Sequence, residues 1–319
     1  MTKEKKTNIV ESLVSYVLLG GTGLVIFSPN ISYIRMVTEY SVHILLGILA
    51  LSMIALVFDR KKIMFAGLAC TAALCIFLKN ASNTSMKLPK INTKANMKIA
   101  HVNLSNITFG LDQVKAILER ENIDVLSLQE LTPDWSPVLK NEFILNFPYQ
   151  RSEVRIDPYG MAIISKIPFI ISDTFMVDGI PNIIIKVEKN GELFQVVSSY
   201  LTPALDNKGL IAASKQLRVL GDKINNLVEP VIALGDYNMV YWANEIKDFR
   251  KGSNMKNSRR DISPSNSRVP YDHIFFSDNL ECTQFKELRD SSNNYIGIVG
   301  SYQLKKEEAH QTNSQLSLQ

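Results

Sequence analysis

Ala233-Leu234-Gly235-Asp236-Tyr237-Asn238 closes an apolar run that begins at Val231. A short apolar run cut off by glycine reads as a buried strand with a turn after it. Positions two apart in extended chain share a face, so Asp236 and Asn238 point the same way from the rim of a sheet. A carboxylate in that place can activate water, and a carboxamide can hydrogen-bond a phosphoryl oxygen, which suits a phosphate ester. The same pair also fits an ordinary turn after a strand. The choice depends on which other polar residues end strands in this chain.

Several do. Residues 98–104 read as a strand with Asn103 near its end, and 123–128 as a second that leads into Gln129-Glu130. Residues 161–165 and 194–201 are further strands, and Asp272-His273-Ile274-Phe275-Phe276 opens another. Between them lie helices. Asp112 is a candidate N-cap for one whose Leu111, Val114, Ile117 and Leu118 share a face, and residues 208–228 form a long amphipathic one. Interleaved strands and helices make this part an α/β domain. Asn103, Glu130, Asp236, Asn238 and Asp272 all stand at strand ends, where α/β-layered proteins gather their sites.

Taken in order, Asn103, Leu128-Gln129-Glu130, Gly160-Met161-Ala162-Ile163-Ile164-Ser165, Gly235-Asp236-Tyr237-Asn238 and Asp272-His273-Ile274 resemble the motifs of the endonuclease/exonuclease/phosphatase family, over about residues 97–303. The resemblance implies a four-layer α/β sandwich, two packed β-sheets flanked by helices. It also implies hydrolysis of a phosphate ester with Mg2+ or Mn2+. Carried over by position, Glu130 is the main metal ligand, and Asn103 supports the metal or holds a phosphate oxygen. Asp236 orients or deprotonates the attacking water, Asn238 steadies the phosphoryl group, and Asp272 orients a histidine supplied by the last motif. A magnesium site with so few carboxylates would keep several waters.

Two places depart from the family pattern. Tyr200, within Val197-Ser198-Ser199-Tyr200-Leu201-Thr202-Pro203, stands where most members carry histidine. Its phenol can still donate to a phosphate oxygen, and it reads equally well as half-buried strand packing. The last motif, Ser-Asp-His before an apolar strand, is read at Gly300-Ser301-Tyr302-Gln303. Tyr302 then replaces a metal-binding aspartate and Gln303 the histidine, with polar sequence following. Three readings compete: a relative that binds without turnover, a C-terminus lost by frameshift, or substitution by His310. His273 reads as a structural neighbour of Asp272, and the side to which His101 faces is left open.

The first 79 residues differ in composition. Apolar runs at about 10–30, 41–59 and 62–79 are nearly free of charge and close to the ~20 residues that cross a ~30 Å hydrocarbon core. They predict an N-terminal α-helical membrane region. Lys3, Lys5 and Lys6 precede the first run, and Arg60-Lys61-Lys62 separate the second from the third. By the positive-inside rule these ends are cytoplasmic and everything after Lys79 is outside, in a bacterial inner membrane. Residues 80–96 read as a linker, 97–304 as the α/β domain and 305–319 as a polar, disordered tail. The layout resembles a membrane-anchored bacterial branch of the family.

A net charge of +4 is too mild to imply nucleic acid. Lys87, Lys90, Lys94 and Lys98 suit anionic lipid headgroups, so membrane lipids are the expected partners. Cys70, Cys75 and Cys282 leave no pair within the α/β domain and no zinc spacing. The expectation is a membrane-anchored metal-dependent phosphoesterase. Its alternatives are a non-catalytic binding module and a membrane-associated nuclease.

Overall fold

The computed structural model describes residues 3–28, 32–85, 89–91, 96–107, 111–260 and 268–305. His310 and the tail after Lys305 lie outside these residues, as do Lys87 and Lys94.

Four helices come first: α1 (Lys3–Phe27), α2 (Ser32–Glu39), α3 (Ser41–Val57) and α4 (Lys61–Ala81). Asn8–Phe27 and Lys61–Ala81 are long and apolar enough to cross a membrane; Ser41–Val57, at 17 residues, is at the short end of that range. Large apolar side chains stand bare along all three, among them Leu13, Tyr16, Leu46, Ile54, Phe65 and Ile76. A helix apolar on its outward face is suited to lipid. Small residues bring α3 and α4 close: a Cβ on Gly67 would run into the Ser52 hydroxyl. The eight-residue helix α2, between α1 and α3, is too short to show as a run in the sequence.

The α/β domain has two six-stranded sheets among the described residues. The first runs β11 (Leu280–Arg289), β12 (Tyr295–Leu304), β1 (Met97–Asn103), β2 (Val125–Gln129), β4 (Met161–Ser165), β3 (Tyr149–Glu153). The second runs β5 (Phe169–Val177), β6 (Ile180–Lys189), β7 (Glu192–Ser199), β8 (Val231–Asp236), β10 (Asp272–Ser277), β9 (Met255–Asn257). β1 pairs parallel with β2 and β7 with β8; their other neighbours are antiparallel.

Period-two alternation divides each central strand between two cores. In β4, Met161 and Ile163 face the second sheet, while Ala162 and Ile164 pack outward near α5 (Leu111–Glu121). In β8, Ile232 and Leu234 face the first sheet; Val231 and Ala233 pack with α6 (Asn207–Asn225) and α7 (Asn244–Gly252). Both faces are covered, so these strands read as continuous apolar runs. The architecture is the expected one, two packed sheets flanked by helices. Asp112 lies in the first turn of α5 and is not its cap.

The end of the chain corrects the sequence reading. An apolar strand does close the domain: β12 pairs with β1, with Gly297 opposite Val102 and Tyr302 opposite Met97. Tyr302 is therefore at the far end of β1 from Asn103. It is buried between the sheets, with its hydroxyl on Ser258 and its ring against Phe276. Gln303 hydrogen-bonds the Lys90 carbonyl and Glu281. Neither residue belongs with Asp272. Tyr295, at the start of this strand, is preceded by two asparagines, so the sequence there shows no histidine and no acidic residue to mark a terminal motif.

The segment expected to be a linker is tied down where it begins. The Asn83 N–H donates to Arg259 O at 2.7 Å, and Arg260 donates to Ser85 O at 2.7 Å.

Polar groups join the two sheets at one rim. Ser127 and Ser198 share a hydroxyl hydrogen bond of 2.8 Å. The Gln129 amide donates to Ser199 O at 2.9 Å and accepts from the Asp236 N–H at 2.8 Å. Gly235, at φ 145°, is required beside this amide, since a Cβ would run into both Ser199 O and Gln129 Nε2. Gln129→Leu would leave two buried backbone groups unpaired, at about 1–3 kcal/mol each. We expect a loss of about 2–6 kcal/mol in denaturant titration of the purified protein; a loss within the scatter of surface variants would mean the amide is not holding the sheets.

Candidate active site

The rim fixed by Gln129 is where strand ends converge. β1 and β2 run parallel with Asn103 opposite Gln129, so Asn103 and Glu130 emerge side by side. β10 runs antiparallel to β8 with Asp272 directly opposite Asp236. Tyr200 follows β7, and Tyr295 opens β12. All the residues expected from the sequence, Asn103, Glu130, Tyr200, Asp236, Asn238 and Asp272, therefore belong to strand ends on one side of the two sheets.

Asn103 caps a 3₁₀ turn: its Oδ1 accepts from Ser105 N at 3.0 Å and Ser105 Oγ at 2.8 Å. That bonding fixes the amide orientation, and Nδ2 donates to Glu130 Oε1 at 2.8 Å. Glu130 sits in the left-handed region at φ 59°, where a non-glycine residue is strained. The turn is held from behind. Leu131 N donates to Gly160 O at 3.0 Å and Arg155 N to Leu131 O at 3.1 Å, and a Cβ on Gly160 would strike Leu131 O. The strand ending one residue earlier, with a forced turn at Glu130, lifts its carboxylate out of the buried layer to a half-exposed place.

Asn238, also left-handed at φ 48°, donates its side-chain amide to Leu201 O at 2.8 Å. Its backbone N–H donates to Asp236 Oδ1 at 2.8 Å. The Tyr200 hydroxyl meets the Asn238 side chain near Asp236 and Glu130, while its ring stands edge-on to Tyr159 at 5.4 Å. Burial holds the phenol of Tyr200 above its usual range, so it remains a donor.

Three further groups join the site that the sequence reading did not assign. Met97, Ile99, His101 and Asn103 alternate along β1, and the first two lie in the inter-sheet core. His101 thus reaches across to β10, with Nε2 3.3 Å from Asp272 Oδ1. The Tyr295 hydroxyl donates to Asp272 Oδ2. Arg268 places its guanidinium 3.5 Å from the same oxygen and 3.8 Å above the Tyr295 ring. The strand period could have assigned His101 to the inter-sheet face. For Arg268 and Tyr295 no local pattern gives a signal. His273, on the opposite face of β10, bonds Met239 O at 2.7 Å, and burial lowers its imidazole to about 3. It is structural.

The two aspartates are driven apart. Burial and then the negative charge of Asp272 push the Asp236 carboxyl up to about 7, against the Asn238 N–H, His101 and Arg268. Burial alone would raise Asp272 also, but His101, Arg268 and Tyr295 outweigh it and hold that carboxyl at about 2. Asp272 is thus a fixed anion, and Asp236 is a carboxyl poised to exchange a proton near neutral pH. A groove of about 370 Å³ between α6 and α7, lined by Arg218, Asp222 and Asp248, flanks the second sheet and contains none of these residues.

The model of the Endonuclease/Exonuclease/phosphatase family matches residues 102–300, a span that runs from just before Asn103 to just past Tyr295. The chain belongs to this family. Among solved structures, it is similar to D. rerio TDP2 complexed with single strand DNA product, at 18% identity and TM-score 0.53, covering 65% of this chain and 98% of that one. It is also similar to an endonuclease/exonuclease/phosphatase from Bacteroides vulgatus (15%, TM-score 0.55, 66% and 100%) and to the human Nocturnin catalytic domain with bound sulfate (14%, TM-score 0.52, 67% and 97%). At these identities the likeness is one of fold. Comparison with curated protein sequences finds no match.

The raised pKa of Asp236 sets a stability signature. An unfolded aspartate ionises near pH 3.9, while the folded one resists until about 7. Between those values the native state holds the extra proton, so the Asp236 contribution falls as pH rises and is constant above about 7. Asp236→Asn removes that cost and retains an oxygen for the Asn238 N–H. Its melting temperature should exceed that of the unmodified protein by more at pH 8 than at pH 4. An equal difference at both pH values would show that the carboxyl is not raised.

Proposed function

We propose that this chain is a membrane-anchored phosphoesterase in which Asp236 activates water and Glu130 holds a Mg2+ or Mn2+ ion. The observation supporting it is the convergence of Asn103, Glu130, Tyr200, Asp236, Asn238 and Asp272 at one rim, with the two aspartates set at opposite protonation preferences.

The donor set fits a hard cation held loosely. Asn103 takes one Glu130 oxygen, and its own Oδ1 is used by Ser105. Asn103 therefore steadies Glu130 and adds no second oxygen. Among the described residues no three His, Cys, Asp or Glu side chains cluster as a metal cage. One carboxylate, several waters and the substrate's phosphate oxygens are a sufficient shell for magnesium. Such an ion, when bound, polarises a phosphoryl oxygen.

The residues of the chain account for the rest. Asp236 takes a proton from the attacking water as the water oxygen bonds to phosphorus and the ester P–O bond breaks. The leaving oxygen is protonated from solvent, and Asp236 returns its proton to solvent. Tyr200 and Arg268 offer a hydroxyl and a positive charge to the phosphoryl oxygens. In this reading Asn293-Asn294-Tyr295 stands for the family's Ser-Asp-His, so a phenol replaces the imidazole on Asp272. Burial and the Asp272 charge keep the Tyr295 hydroxyl protonated, so it donates a hydrogen bond but cannot shuttle a proton near neutral pH. That one feature also favours the second reading, a binding module with little turnover.

The same proposal covers location. Arg60 pairs with Glu11 at 3.0 Å, and Lys62 bonds Ser12, at the end of the helical bundle away from the α/β domain. Basic residues at that end support a cytoplasmic N-terminus, three spans and an extracytoplasmic domain in a bacterial inner membrane. A reporter active only outside the cytoplasm, fused after Gln319, should work; activity of a cytoplasm-only reporter there would reverse the topology.

For the chemistry, a panel of phosphate mono- and diesters with Mg2+ or Mn2+ should show turnover. Asp236→Asn and Glu130→Gln should each lower it about 100-fold or more, and Tyr295→His should raise it, since a general acid or base contributes about 10²- to 10⁴-fold. No turnover by either the unmodified chain or Tyr295→His would leave the binding-module reading. Turnover unaffected by Asp236→Asn and Glu130→Gln would place the chemistry elsewhere.

A further inference from the structure

The rim that carries the candidate site is also the rim held by the membrane helices. Beyond Asp236 and Asn238 the chain runs directly into Val240, Tyr241 and Trp242, all buried with Val25, Val42, Leu45, Leu74 and Leu78 of α1, α3 and α4. The Trp242 indole donates to Thr38 O at 2.7 Å, and Glu245 pairs with Arg35 at 3.4 Å, both on α2. Tyr271, the residue before Asp272, donates its hydroxyl to Glu39 at 2.8 Å. Glu39 ends α2, two residues before α3 begins. At the end of α4, Arg250 donates to Ala81 O at 2.6 Å.

These contacts all involve the same end of the bundle: the end of α1, the start of α3 and the end of α4. That end is where the bare apolar side chains of the spans give way to polar contacts with the domain, and it marks the level of the headgroups. The short helix α2 lies there with Arg35 and Thr38 against the domain and Met36 and Val37 exposed on its other side, and Tyr40, just past its end, is exposed too. An amphipathic helix of this kind lies in the interface plane.

The loops around the site continue the apolar edge. Ile156, between β3 and β4 and one residue from the Arg155 that braces the Glu130 turn, is 93% exposed. Leu205, after Tyr200 and Leu201, is 84% exposed. The bundle contacts and the apolar edge belong to one rim of the sheets, and site residues come between them.

We propose that the mouth of this site opens on the bilayer surface and takes a phosphate ester carried on a membrane lipid, with Ile156 and Leu205 touching the acyl layer. The identity of the ligand rests on the phosphoesterase reading; the orientation of the mouth does not. Hydrolysis is the reaction already given, with water bonding to phosphorus, the ester P–O bond breaking, and the lipid-borne fragment staying in the bilayer. A soluble ester of the same headgroup reaches the site only by diffusion, without the membrane to concentrate it.

The test uses the full chain in nanodiscs of phosphatidylethanolamine and phosphatidylglycerol. Nitroxides are attached one at a time at Ile156→Cys, Leu205→Cys and Val228→Cys, with Cys70, Cys75 and Cys282 replaced by alanine. Val228 is 90% exposed but lies at the opposite rim, before β8 begins. Labels at 156 and 205 should collide with oxygen dissolved in the bilayer in preference to an aqueous nickel complex, and the label at 228 should do the reverse. Three labels that all read as aqueous would overturn the orientation, whatever the activity.

The second arm compares phosphatidic acid in the nanodisc with glycerol 3-phosphate, the same phosphomonoester free in water. The lipid should be hydrolysed with a kcat/KM at least tenfold higher. Ile156→Glu with Leu205→Glu should remove that advantage and leave the soluble ester unchanged. Equal rates on the two, or a preference for the soluble ester, would overturn the lipid assignment. Absence of turnover on every ester would instead defeat the phosphoesterase reading, with the nitroxides still deciding where the mouth opens.

Discussion

The side-chain amide of Gln129 is the tie on which the site depends. It fills both hydrogen-bonding roles at once, giving a proton to Ser199 O and taking one from Asp236 N–H. Those two backbone groups end β7 and β8 in one sheet, while Gln129 ends β2 in the other. Two sheets packed by apolar contact alone could slide by a fraction of a residue at little cost. A buried amide that satisfies groups on the facing sheet makes such sliding expensive, because each group left unpaired in the interior costs about 1–3 kcal/mol. Glu130 and Asp236, on different sheets, are thereby held in one fixed relation. The space around Gly235 is part of the same constraint, since any side chain there would collide with the amide and with Ser199 O.

Electrostatics then gives the assembled carboxylates different characters. Asp236 and Asp272 face each other across an antiparallel pair, and two buried aspartates this close cannot both ionise at ordinary cost. His101, Arg268 and Tyr295 all contact Asp272 and settle which one carries the charge. Asp236 gains less from the Asn238 N–H, His101 and Arg268 than burial and the Asp272 charge take away, and is left as the carboxyl whose pKa is raised. One side of the site is a carboxylate held as an anion by its counter-groups, and the other is a carboxyl raised toward neutral pH.

Much of this was legible in the sequence, and the losses have physical causes. Strands covered on both faces appear as apolar runs, so β2, β4, β8 and β10 could be read directly, with the polar residues that end them. β3 and β11 are edge strands with polar and exposed positions, and they carry no such run. β12 is interrupted by Gly297 and Gly300 and ends in polar residues, so it carries no continuous apolar run, and Tyr302 and Gln303 come to stand where a last motif is expected. The register of β12 against β1 puts those two residues at the wrong end, and puts Tyr295 beside Asp272. Arg268 and His101 reach the site only through the packing of one sheet on the other, which no local pattern contains. The docking of the helical bundle on residues 240–245 was equally hidden, because its partners are some 200 residues apart in the chain.

Glu130 as the anchor of a cation at this rim is the proposed role most open to direct measurement. Crystals of the protein grown with Mn2+ and measured near the manganese absorption edge decide the matter. An anomalous peak bound by a Glu130 carboxylate oxygen is expected, lost in Glu130→Gln crystals grown in the same way. A peak elsewhere that survives the substitution, or no peak at this rim when manganese is plentiful, would contradict it.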